Sequence, residues 1–100
     1  MFIVKTVVDK PAGTAFRAPQ LIAGTSLSLG AWTRQQAGVI KSRVRRTGVN
    51  RIVSTITFTD QAAAEAYLAA LANNSEYQAR QAYNAANGIT STVRKFQEVA

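Results

Sequence analysis

Lys41, Arg43, Arg45, Arg46 and Arg51 put five cations on one short stretch of this chain. Together with Lys10, Arg17 and Arg34 they lie between Asp9 and Asp60, a span that holds no Asp or Glu. Guanidinium and ammonium groups at such spacing hydrogen-bond phosphate or carboxylate oxygens, and a field of one sign steers polyanions toward it. The rest of the chain holds all five acids (Asp9, Asp60, Glu65, Glu76 and Glu98) against only four cations (Lys5, Arg80, Arg94 and Lys95). The net charge of +7 therefore belongs almost wholly to the middle of the chain.

Other chemistries lack their reagents. With no Cys, there is no thiolate nucleophile, thiolate metal site or disulfide. With no His, the commonest general base and the commonest metal ligand are absent, and Ser26, Ser28 and the other hydroxyls have nothing to activate them. Glu65, Glu76 and Glu98 are too scattered to suggest an acid–base pair. The loop from Gly24 to Gly30 lacks the Lys-Ser/Thr ending of a phosphate-binding loop. No catalytic residue, metal or cofactor is expected.

One hundred residues, 47% of them hydrophobic, are enough to bury a core and predict one domain over 1–100. No apolar run approaches the roughly 20 residues that span a bilayer. Met1 to Thr6 reads directly into strand-like sequence, with no basic leader or cleavage motif. The expectation is a soluble, intracellular protein without a membrane, in a host-cell cytoplasm or associated with a virus.

The cations need elements to hold them. Residues 2–8 are β-branched and aromatic and stop at Pro11, which predicts a first strand. A short helix from Ser26 or Ser28 to Ala37 fits the next segment, with Leu29 and Trp32 buried and Gly38 just beyond its end. Residues 39–46 and 51–58 alternate on either side of Thr47-Gly48-Val49-Asn50, the pattern of a hairpin. Asp60 caps a helix whose apolar stripe is Ala64, Tyr67, Leu68 and Leu71. After Asn73-Asn74, Ser75 caps a second helical piece that ends at Gly88, and residues 89–99 form the last strand. Trp32, Tyr67, Tyr77 and Tyr83 are expected to pack in the core or an interface.

Alternation assigns the faces. Ile52, Ser54, Ile56 and Phe58 share the side under the helices, joined by Ile40, Ser42 and Val44. Lys41, Arg43 and Arg45 then point outward near Arg51 and Thr55, while Arg94 and Lys95 put one cation on each side of the last strand. The competing reading is a solvated edge, where charge guards against strand pairing.

The β-α-β-β-α-β order predicts an α+β, ferredoxin-like domain, a four-stranded antiparallel sheet with helices on one face. The stretch from Arg51 to Leu71 resembles the third strand and second helix of an RNA-recognition motif, with Arg51, Ile56 and Phe58 matching. The two positions that stack bases in that family hold Val53 and Thr55, so the resemblance implies topology rather than a stacking platform. Residues 39–99 are also similar in layout to the dimeric α+β barrel superfamily, which includes antibiotic-biosynthesis monooxygenases. That resemblance implies a dimer and a small enzyme using Asn, Trp and His, of which this chain has no His.

The expectation is a non-enzymatic domain that binds nucleic acid, DNA or RNA, with little sequence preference. Lys41, Arg43, Arg45, Arg46 and Arg51 would contact phosphates, extended by Arg94 and Lys95; Arg17 and Arg34 lie in a segment that the pattern places poorly. Two other readings stay open. One is an assembly protein, phage-encoded, docking its basic hairpin on an acidic protein surface. The other is a small barrel enzyme of the monooxygenase type. A homodimer through another surface is compatible with all three.

Overall fold

The computed structural model describes residues 1–98. The elements in chain order are β1 (Phe2–Asp9), α1 (Leu29–Arg34), β2 (Val39–Gly48), β3 (Arg51–Phe58), α2 (Gln61–Ala72), α3 (Ser75–Ala86) and β4 (Thr90–Gln97). All strand pairs are antiparallel and the sheet order is β2-β3-β1-β4, a ferredoxin-like arrangement. The expected last strand reached position 99, which lies outside the described residues.

β1, rich in β-branched residues, is an inner strand and pairs along its whole length with β3 and β4. Phe2 faces Phe58 and Val4 faces Ile56 across the β1–β3 ladder, and all four are buried under the helices. Ala64, Tyr67 and Leu71 of α2 close over them at the spacing of one helical face. Phe58 is completely inaccessible, with the Tyr67 ring 5.4 Å away, and the Trp32 ring is 5.8 Å from that of Tyr67. Trp32, Tyr67 and Tyr77 thus pack in or against the core. The Tyr83 hydroxyl donates instead to the Ala15 carbonyl at 2.7 Å.

Several local expectations need correction. Helix α1 stops at Arg34 rather than Ala37, because the Gln35 and Gln36 N–H groups turn back to the Trp32 and Thr33 carbonyls, three residues earlier. Gly38 follows with φ 80°, and a Cβ there would lie 2.5 Å from that of Ala63, so the chain passes α2 where no side chain fits. The cap of α3 is Asn74, whose side-chain oxygen accepts from the Glu76 and Tyr77 N–H groups; Ser75 is the first helical residue. Ile40 is not on the helix side. A bulge between Val39 and Lys41 gives its place opposite Phe58 to Val39 and leaves Ile40 52% exposed.

The segment between β1 and α1, illegible in sequence, is tied to α3 at Ala15, through the Tyr83 hydroxyl, and at Arg17. Arg17 Nε and an Nη donate to the two carboxylate oxygens of Glu76 at 3.2 and 3.0 Å. The Glu76 side chain is only 4% exposed. Arg17's hydrogen bonds hold the Glu76 carboxyl below its ordinary range, against the opposing effect of burial. In the unfolded chain that carboxyl titrates near about 4.3. The folded state therefore binds fewer protons below that value, and stability present above it is lost as the pH falls through the lower folded pKa. Thermal unfolding from about pH 5 to about pH 3 should accordingly show a steeper fall in Tm for the native chain than for Glu76→Gln. Parallel curves would mean the pair is not intact in solution.

Candidate nucleic-acid interface

The sheet face away from the helices is open. Its composition follows from register, since residues opposite each other on neighbouring strands share a face. One transverse row runs Arg43, Thr55, Lys5, Arg94 across all four strands. On one side of it lies Lys41, Thr57, Ile3, Phe96; on the other, Arg45, Val53, Val7, Thr92. At the strand separation of about 4.8 Å, the central row spans roughly 14 Å. Lys41, Arg43 and Arg45 line a second direction, along β2, with alternate residues about 6.7 Å apart. Between these three cations and the hydroxyls of Thr55 and Thr57 lies a shallow basin of about 240 Å³.

The cationic cluster of the sequence divides between the two faces. Lys41, Arg43 and Arg45 come together on the open side, as alternation predicted, and of the Arg94 and Lys95 pair it is Arg94 that joins them. Arg46 does not join them. It pairs with Ile52 on the helix side, and its guanidinium lies 5.5 Å from the centre of the Phe16 ring, which also meets Lys10 at 5.4 Å. Lys95 is likewise on the helix side, level with Val4. Arg51 is on the open face but sits opposite Asp9, and its Nε donates to that carboxylate at 2.6 Å. The pair raises the Arg51 pKa through the hydrogen bond first and the charge second, so this cation is already engaged. Arg17 is committed to Glu76, and Arg34 is an exposed residue at the end of α1, away from the sheet's open face.

Two contributors were missed. Lys5 stands in the centre of the row, flanked by Thr55 and Arg94, although in the linear charge count it belongs to the balanced remainder. Phe96 lies on the same face two residues from Arg94, whose guanidinium is 5.9 Å from the ring centre. A face built of Lys5, Lys41, Arg43, Arg45 and Arg94 is thus interleaved with Ile3, Val7, Val53 and Phe96. Asp9 is the one carboxylate in the four described strands, and it is held at the corner by Arg51. Such a surface can take phosphates on its cations and apolar or aromatic groups between them, without an acid in the way.

No helix among the described residues is long and apolar enough to cross a membrane. Compared with known protein families, curated proteins and solved structures, the chain matches none.

Proposed function

We propose that the open face of the sheet binds single-stranded nucleic acid with little sequence preference. The observation that carries this reading is the row Arg43, Thr55, Lys5, Arg94, three cations and a hydroxyl in register across four strands. Phosphates meet the cations, and the exposed base faces lie against Val7, Val53, Ile3 and Phe96. With one aromatic side chain and no array of amide groups aimed at base edges, discrimination between bases is weak. The apolar groups between the cations meet base faces that a duplex keeps stacked, so single strands should bind better than duplexes of the same length. Burying this face against a second copy would instead bring like charges together and desolvate them.

The test is a titration of an oligothymidylate into the protein, followed through the side-chain Nε–H resonances of its arginines. Arg43, Arg45 and Arg94 should shift, while Arg17, held by Glu76, and Arg46, on the helix side, stay in place. Shifts confined to Arg46 and Arg34 would overturn the assignment. Retention of an acidic protein at high salt, with none of nucleic acid, would favour a docking surface for protein instead.

A further inference from the structure

The helices cover only part of the sheet's inner face. Over the rows containing Thr6, Val8, Ile52 and Ser54 they stand away from it, leaving a cavity of about 400 Å³ that opens to solvent. Leu29, Leu68 and Leu71 form much of its roof, and Phe16 with Pro19 closes one wall. The surface is mainly aliphatic, and Tyr67 and Thr33 satisfy each other's hydroxyls at 3.0 Å. Ligand pockets fall in the same range of volume and character.

One charged group on the wall, Arg80, is only loosely paired, by charge with Glu76 and without a hydrogen bond. Arg80 and Arg17 both line the cavity, and no carboxylate lines it with them. Glu76 gives both its oxygens to Arg17. Its Oε2 lies 3.8 Å from an Arg80 Nη, beyond hydrogen-bond reach, and the Arg80 Nε is buried with no partner. Gln81 and Asn84, on the same wall, add amide donors beside it. An apolar chamber with two guanidiniums, Arg17 and Arg80, against the single carboxylate of Glu76 complements a molecule with an apolar body and a single anionic head.

We infer that the cavity between sheet and helices is a binding site for a medium-chain aliphatic carboxylate, its head on Arg80 and its chain over Val8, Ile52 and Ser54. The volume equals roughly a dozen water-sized groups, room for a body of about ten carbons. This site is on the opposite face from the cationic row and stands whether or not that row binds nucleic acid.

Isothermal titration of decanoate tests it, with decanol and decyltrimethylammonium as probes of the same chain. Decanoate should bind one to one, and Arg80→Gln should weaken it about tenfold or more through the lost charge-assisted contact. The same substitution should leave decanol, the weaker ligand, unchanged. Ser54→Phe, which fills the floor, should abolish binding while circular dichroism stays native, and Arg43→Gln on the other face should have no effect. Failure of decanoate to saturate one site, equal affinity for decyltrimethylammonium, or undiminished binding to Arg80→Gln would each overturn the inference.

Discussion

Replacing Lys5 and Arg94 together by Glu should lower affinity for a single-stranded oligonucleotide of about twelve residues by about a hundredfold or more near 0.1 M salt. Each of the two stands in the central row of the open face, flanking one another on β1 and β4. A charge-assisted contact to phosphate contributes about 1.5 kcal/mol, close to tenfold, and reversal adds repulsion to that loss. The matched control is Arg46→Glu with Lys95→Glu. It removes the same net charge from the same two kinds of side chain, but on the helix side of the sheet. A few-fold loss is expected there, from the weakened general field alone. Anisotropy titrations of both variants decide the matter, and equal losses would mean that net charge rather than the open face drives binding. Neither pair touches the buried core, so both variants should keep the native circular dichroism spectrum.

Phe58→Ala should cost about 3–5 kcal/mol, against a total stability of about 5–15 kcal/mol for a domain of this kind. Phe58 is the one large side chain with no exposure among the described residues, placed where β1, β2 and β3 converge under α2. Its ring separates Phe2 and Val39 on either side and meets Tyr67 above. Truncation removes those contacts and leaves a void that the rigid sheet below cannot close. At about 4–8 °C per kcal/mol, the Tm falls by roughly 20 °C, readable by thermal melt. Phe58→Leu keeps most of the volume and should cost far less. A small change in Phe58→Ala would place the core elsewhere.

How far sequence carried these conclusions depends on the range of the interaction. The hairpin, the Asp60 cap and the facing of Ile52, Ser54, Ile56 and Phe58 rest on alternation and local chemistry, and the structure has them as read. Ile40 was misplaced because a bulge shifts parity by one residue, and nothing in the composition of 39–41 marks it. Arg46 was grouped by proximity with Arg43 and Arg45, although parity with Val44 would have sent it to the helix side. Lys5 and the engagement of Arg51 by Asp9 depend on the register between β1 and β3, whose partners are 42 to 56 residues apart in the chain. The Arg17–Glu76 contact ties a Gly- and Pro-punctuated segment to α3 across 59 positions, and no periodicity carries that information. Charge density along the chain points to the hairpin; only register could say which cations share a face.

The most direct test of the central claim is the affinity of the unmodified protein for short single- and double-stranded oligonucleotides between about 50 and 300 mM salt. Five cations on the open face predict tighter binding to the single strand, with a log–log salt slope near about −3.5. Binding that ignores salt, or no binding at the lowest salt, would contradict it.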